Sequence, residues 1–203
     1  IRRVSAPWLA GTVRTSPIRV EALVALTDYK GDMDYATNYM GKGIKNEKGE
    51  EIQPNIFETE IHSGIYRGTI LIELDRIGAG QGFESGELAT SEKCKRTLAF
   101  LDAFRNLWSS GRQTRFLADI SPKFLAAAAM SAKNPVFLEA LRVSKDGKVE
   151  ASVLKSVVED YDRFISDHVF AAQEAVFGKE EGVVGLKAGF EKIESWVKNY
   201  FGQ

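Results

Sequence analysis

The stretch SSGRQTRFL at residues 109–117 contains two arginines, a glutamine and a threonine directly after a glycine. A turn by itself needs only Gly, Ser, Asn or Asp. Arg112 and Arg115 can each donate a fork of hydrogen bonds to phosphate oxygens, and the glycine allows a ligand to approach the backbone. Gln113 and Thr114 can bond a phosphate, a sugar hydroxyl or a base. The stretch predicts an anion-binding site, and a solvated loop whose arginines pair with nearby carboxylates is an equal alternative.

Other residue types that often do chemistry are sparse. His62 and His168 are the only histidines, and their separation does not fit metal ligation. DYKGDMD at residues 28–34 could supply carboxylates to a metal or to acid–base chemistry, but it lacks the calcium-loop pattern and is interpreted as a turn. GAGQG at residues 78–82 departs from the dinucleotide-binding spacing and predicts a flexible linker. We therefore predict no catalytic residue, no metal and no cofactor, with a nuclease as a minor alternative.

The composition is that of an ordinary soluble protein. The chain has 203 residues, of which 44% are hydrophobic and 27% charged, with a net charge of −1. This balance excludes coating of nucleic acid by bulk charge, although residues 1–19 hold four arginines and no acid. The single cysteine, Cys94, excludes a disulfide framework and is expected in the core. With no apolar run of spanning length and no secretory signal, we predict one cytoplasmic domain with no membrane partner.

Two alternating segments predict strands that face a core, at residues 18–27 and 64–77. In the first, Ile18, Val20, Ala22, Val24 and Leu26 share the inward face. The insertion between them is too long for a hairpin turn. Its apolar residues (Tyr35, Tyr39, Met40, Ile56 and Phe57) need a partner, and unstacked bases are as suitable as packing back on the body.

Helices dominate the rest of the predicted structure. Ser91 is expected to cap a helix that Gly111 ends, with Cys94, Leu98, Leu101, Phe104 and Trp108 on its apolar face. Residues 114–129 read as extended, and residues 134–143 as a short helix followed by a turn at Asp146 and Gly147. Long amphipathic helices are predicted at residues 152–170 and 186–201. The element order predicts an α+β fold, the back part of a ferredoxin-like unit without its first strand and helix.

Several of these segments, in this order, resemble the large backbone subunit of type I CRISPR interference complexes (Cascade), in the DevR autoregulator family. The segments are SPIRVEALVALTDYKGDMDYAT, FETEIHSGIYRGTILIELDRIG, GRQTRFLADISPKF, KDGKVEASVLKSVVEDYDRFI and EKIESWVKNY. The ordered series, more than any single motif, carries the resemblance.

The resemblance implies an RRM-like palm with an inserted thumb hairpin and C-terminal helices. In this chain residues 1–203 would form one palm domain whose front is missing, with the thumb at about residues 34–63 and a helical part at about 134–203. Many copies would stack along a CRISPR guide RNA, so that each thumb turns out one base and the others pair with target DNA. The implied partners are the guide RNA, target DNA through the guide, further copies of the chain and other Cascade subunits.

The loop after the second palm helix of the family holds the guide backbone, and residues 111–115 match it. The expected RNA-binding residues are Gly111, Arg112, Gln113, Thr114, Arg115, Arg3, Arg14, Met40, Phe57 and His62. The resemblance implies a subunit that is not an enzyme. Two alternatives remain: a type III-like backbone subunit that cleaves target RNA with an acidic residue, and a DNA-binding autoregulator, for which no helix-turn-helix pattern is visible.

Overall fold

Strands precede the first helix in the computed structural model, and strands and helices alternate after it. The structure describes residues 15–37, 43–51, 56–79, 86–108 and 117–203. The strands are β1 (Ile18–Val20), β2 (Val24–Ala25), β3 (Gly31–Thr37), β4 (Ile56–His62), β5 (Tyr66–Arg67), β6 (Ile70–Ile72), β7 (Phe124–Met130), β8 (Ile165–Ala172) and β9 (Val183–Gly185). The helices are α1 (Thr90–Arg105), α2 (Ala151–Asp160), α3 (Glu174–Phe177) and α4 (Leu186–Tyr200). The predicted α+β class is confirmed at this coarse level.

The chain divides into two units. Residues 1–22 and 68–203 form the main unit, and residues 23–67 form the hairpin unit. Among the described residues, the main unit contains the antiparallel pair β1–β6 and a three-stranded sheet in the order β7–β8–β9. Strand β8 runs antiparallel to β7 and parallel to β9. None of the helices in the described ranges has the length and apolarity needed to cross a bilayer.

Two apolar clusters form the core of the main unit. The first joins α1 to α4 through Cys94, Leu101, Val197 and Phe201, together with Ile77, which precedes α1. The second packs α2 against β8 around Leu154 and Phe170, together with Ala140 and Val149. The apolar stripe predicted for α4 and the buried position predicted for Cys94 are confirmed.

Three predicted elements of the main unit are wrong in extent or type. The helix predicted at residues 152–170 ends at Asp160, and its second half is strand β8, which pairs with the apolar run of β7. Residues 134–143 form turns instead of a helix, because their backbone hydrogen bonds mostly span two or three residues and do not form a continuous series over four. Helix α1 begins at Thr90 without a side-chain cap and ends at Arg105, well before Gly111.

The strand predicted at residues 18–27 is also wrong as one continuous element. It breaks into β1, which pairs with β6, and β2, which pairs with β5 in the other unit. Val20 is 67% exposed, so the alternation does not place it in a core. The segment predicted as a strand at residues 64–77 is likewise divided into β5, β6 and a 3-10 helix at Leu74–Arg76. The tight turn at Asp146 and Gly147 is confirmed, with φ +77° at the glycine.

The hairpin unit is built on β3 and β4, which pair antiparallel from Gly31 opposite His62 to Thr37 opposite Ile56. Strand β3 begins at Gly31, so Asp32 and Asp34 lie in a strand and not in the predicted turn. A second, smaller hairpin at residues 45–51 is closed by a bridge between Lys45 and Glu51. None of the described residues of this unit is buried.

Candidate nucleic-acid interface

The predicted anion site at Gly111, Arg112, Gln113, Thr114 and Arg115 lies outside the described residues, and the structure shows its two flanks. On the first flank, α1 ends at Arg105 and the chain continues to Trp108, whose side chain is 72% exposed. On the second flank Leu117 is 88% exposed. Both flanks therefore present large apolar side chains to solvent.

A compact polar turn follows the second flank. The Ser121 N–H and hydroxyl donate to Asp119 Oδ1 over 2.9 and 2.7 Å, and the Lys123 ammonium donates to Asp119 Oδ2. The hydrogen bond from Lys123, followed by those from Ser121, holds the pKa of Asp119 well below its usual range. Lys123 is therefore compensated by a neighbouring carboxylate and adds little net charge to this flank.

The arginine-rich start was predicted as a second contact surface, and Arg3 and Arg14 lie outside the described residues. Arg19, at its end, donates to Glu73, whose side chain is only 2% exposed. Arg76 also donates to Glu73, over 2.8 Å, and Lys133 approaches Glu73 at 3.4 Å and Asp75 at 2.6 Å. Three cations surround two carboxylates, and the buried Glu73 fixes where they lie.

The thumb predictions fall in the hairpin unit, where Met40 lies outside the described residues. Phe57 and His62 both lie on β4, five residues apart, so the pleat of the strand directs them to opposite faces. Phe57 is half-exposed and stands opposite Ala36, whereas His62 stands opposite Gly31 and contacts Tyr29 and Tyr66. The two side chains therefore cannot hold the same base.

The carboxylates of DYKGDMD were the basis of the nuclease alternative. Asp32 and Asp34 alternate along β3 and share one face of the hairpin. Within the described ranges, no group of three or more His, Cys, Asp or Glu side chains could hold a metal ion.

Sequence reasoning missed three exposed aromatic residues: Trp108, Tyr29 and Tyr66. The 3.6-residue period assigned Trp108 to the apolar face of α1, but the helix stops three residues before it. Tyr29 and Tyr66 precede and follow the main hairpin, and the glycine two residues after Tyr29 was the available signal for its placement.

Comparison with protein families gives one match. Residues 8–153 match the family described as CRISPR-associated negative auto-regulator DevR/Csa2. The matched range includes the predicted anion site and the hairpin unit. A search of curated protein sequences gave no match.

Comparison with solved structures supports the fold. A chain titled "CRISPR RNA-guided surveillance complex, pre-nicking" superposes with a TM-score of 0.56 at 16% identity, over 93% of this chain and 52% of that one. A chain titled "CRISPR RNA-guided surveillance complex" gives a TM-score of 0.52 at 18% identity, over 89% of this chain and 70% of that one. The chain thus spans about half the length of the first of these structures.

Proposed function

The chain belongs to the CRISPR-associated negative auto-regulator DevR/Csa2 family, and from this premise we propose that it is a guide-RNA-binding backbone subunit of a type I CRISPR interference complex. The observation that carries the proposal is the family match over residues 8–153, a range that contains Arg112 and Arg115, which follow α1 and precede β7 in the sequence. Likeness in fold to chains of RNA-guided surveillance complexes supports the same assignment.

Residues 111–115 act in this proposal as a clamp on the guide backbone. The two arginines bind phosphate oxygens, Gln113 and Thr114 bond phosphate or sugar, and Gly111 keeps the backbone close. Arg3 and Arg14 add phosphate contacts. Such contacts give affinity without sequence preference, which a scaffold for varying guides requires.

Bases are held by apolar side chains in the same proposal. Trp108 stands three residues before the clamp and is exposed, so it is placed to stack on a base next to the clamped phosphates. Met40 and Phe57 contact bases from the thumb. His62, on the opposite face of β4 from Phe57, is a further candidate contact.

Several copies would assemble along one guide with other subunits of the complex, and the bases left free would pair with target DNA. The subunit holds and presents RNA and does not cleave it. The cleaving alternative would have to use Asp28, Asp32 or Asp34, and loss of metal-dependent RNA cleavage on changing these residues to Ala would be its signature.

Fluorescence anisotropy with a labelled guide-length RNA, measured across salt concentrations, tests the proposal. The full-length protein is compared with its Arg112→Ala/Arg115→Ala variant and with an Arg96→Ala/Arg163→Ala variant, which removes the same charge from arginines elsewhere. We expect binding that grows cooperatively with RNA length and is weakened only by the first double change. Each lost phosphate contact lowers the salt slope by roughly 0.7 for a single strand, so the clamp variant loses about 1.4. Equal effects of the two double changes would overturn the clamp.

The description of the family as an auto-regulator favours one second function, binding to duplex DNA. The same titration with double-stranded DNA decides between the two. Tighter binding to the duplex than to single-stranded RNA would support the regulator and contradict the guide scaffold.

A further inference from the structure

The hairpin unit has no core among its described residues, and its charges are not balanced. None of its described residues is buried, and Leu23, Tyr29, Tyr35 and Ile56 are among its exposed large apolar side chains. Between residues 23 and 67 there are eight carboxylates and five lysines and arginines, a net charge of −3, whereas the rest of the chain carries +2. A short hairpin of this kind is marginally stable in water without a partner on its apolar surface. Its negative charge favours a cationic partner.

Three aromatic rings come together at the open end of this hairpin. The Tyr29 and His62 ring centroids are 5.7 Å apart, and those of His62 and Tyr66 are 5.8 Å apart, with interplanar angles of 53° and 48°. The Tyr29 side chain is 65% exposed and that of Tyr66 is 38% exposed. The tilted rings therefore retain accessible faces around the imidazole.

Gly31 makes room for this arrangement. It stands opposite His62 in the register of the hairpin. A Cβ at Gly31 would lie 1.9 Å from the Tyr29 hydroxyl oxygen and 2.2 Å from Cζ, so the tyrosine ring occupies the space that any other residue would fill. The sequence Tyr-Lys-Gly thus allows Tyr29 to fold back across its own strand towards the histidine.

Polar contacts then fix the rings. The Tyr29 hydroxyl donates to Glu60 Oε1, and the Tyr66 hydroxyl and His62 Nδ1 are hydrogen-bonded to each other. The hydrogen bond to Glu60 raises the pKa of Tyr29, so this hydroxyl keeps its proton at neutral pH. The cluster combines electron-rich tyrosine faces with one carboxylate.

We propose that Tyr29, His62, Tyr66 and Glu60 form a receptor for an arginine side chain of a partner protein. A guanidinium is attracted to an aromatic face within about 6 Å of the ring centroid, and it can also donate to the carboxylate beside the ring. The net charge of −3 in residues 23–67 favours a basic protein surface as the partner at this end of the hairpin.

The inference is independent of RNA binding by residues 111–115, so each can fail alone. The test is a titration of the full-length protein, labelled with 13C in its tyrosine rings, with N-acetyl-arginine amide followed by NMR. N-acetyl-citrulline amide is the neutral isostere, and Tyr29→Phe and Tyr66→Phe identify the two signals. We expect saturable chemical-shift changes in the Tyr29 and Tyr66 signals with the arginine probe, and several-fold weaker binding with citrulline. The signals of the exposed Tyr35 and Tyr200 should not shift.

Two variants test whether Tyr29 and Glu60 bind the arginine probe. Gly31→Ala moves only the flexible end of Tyr29, and Glu60→Gln removes the carboxylate charge. Each variant should weaken the binding of the arginine probe roughly two- to five-fold. Glu58→Gln is the control, since it changes the same charge on the same face of β4 and should leave binding unchanged. Equal shifts with citrulline, or equal effects of the Glu58 and Glu60 changes, would overturn the receptor. Tighter saturable binding of adenosine monophosphate than of the arginine probe would replace it with a base-stacking site.

Discussion

Gly189 of α4 and Ala171 of β8 are in direct contact. A Cβ at position 189 would lie 2.3 Å from the Cβ of Ala171, which is fully buried. The absence of a side chain at this one helical position allows α4 to lie close against the central strand of its sheet. The same helix places Phe190 and Val197 in the core.

Replacing Gly189 with alanine is therefore expected to destabilise the protein. A gain of about 1 kcal/mol in helix propensity is outweighed, because overpacking a rigid contact costs typically 1–3 kcal/mol. Urea unfolding should show a lower midpoint than for the wild type. Ser195→Ala, on the exposed side of α4, should leave the midpoint nearly unchanged. A more stable Gly189→Ala protein would contradict the close packing of helix and strand.

Asp167 should make the stability of the protein depend on pH. Burial raises its pKa, but hydrogen bonds from Lys192 at 2.7 Å and Trp196 at 2.9 Å outweigh burial, so the pKa of the folded form lies below its usual value. A lowered folded-state pKa contributes stability above the unfolded value near 3.9, and this contribution is lost as the pH falls through the folded value.

Asp167→Asn should accordingly be less stable than the wild type at pH 7, by about 1 kcal/mol or less because the ion pair is partly exposed. The difference should shrink as the pH is lowered below about 4. Urea unfolding of both proteins at several pH values measures it. A difference that stays constant from pH 7 to pH 3 would show that this carboxylate does not titrate differently on folding.

Glu73 organises three cations from separate segments of the chain, so its removal should cost more than removal of an exposed neighbour. Glu73→Ala leaves Arg19 and Arg76 without their shared carboxylate. We expect a loss of about 1–3 kcal/mol, less than for a fully buried pair because the cations are half-exposed. Asp75→Asn, at a half-exposed carboxylate, should cost no more than about 1 kcal/mol. Equal losses in thermal or urea unfolding would contradict the central role of Glu73.

Trp108 should contribute to RNA binding if the clamp operates as proposed. Base–aromatic stacking contributes about 1–3 kcal/mol per base, so Trp108→Ala should weaken the binding of guide-length RNA roughly 5- to 150-fold. Trp108→Phe should retain most of the affinity, and Leu117→Ala, an exposed apolar change on the other flank, should have little effect. Fluorescence anisotropy measures the RNA affinity of all three variants. An unchanged affinity of Trp108→Ala for the RNA would exclude stacking at this position.

Local sequence patterns predicted those helices whose apolar spacing is maintained over several turns, because such spacing fits a helix and not a strand. Helix α4 was correct because its apolar spacing persists over four turns, and α1 was correct in its interior, where Cys94 and Leu101 are buried. The Asp146–Gly147 turn followed from residues whose backbone preferences are strong. The ordered resemblance to CRISPR backbone subunits also came from sequence, and the match to the DevR/Csa2 family confirms it.

Tertiary structure decided what short apolar segments cannot specify. Residues 165–172 fit the end of a helix or a strand, and pairing with the apolar run of β7 selected the strand. Val20 follows the alternation of a core strand yet is exposed, because β1 stops after three residues.

The same holds for the cluster of Tyr29, His62 and Tyr66. Tyr29 is far from His62 and Tyr66 in sequence and shares no motif with them, and it meets them because the hairpin register sets Gly31 opposite His62. Residue types and spacing thus determined the family and the long helices of this protein. Strand pairing brings together residues that are distant in sequence. It therefore decided which side chains face solvent, which are buried and which contact each other.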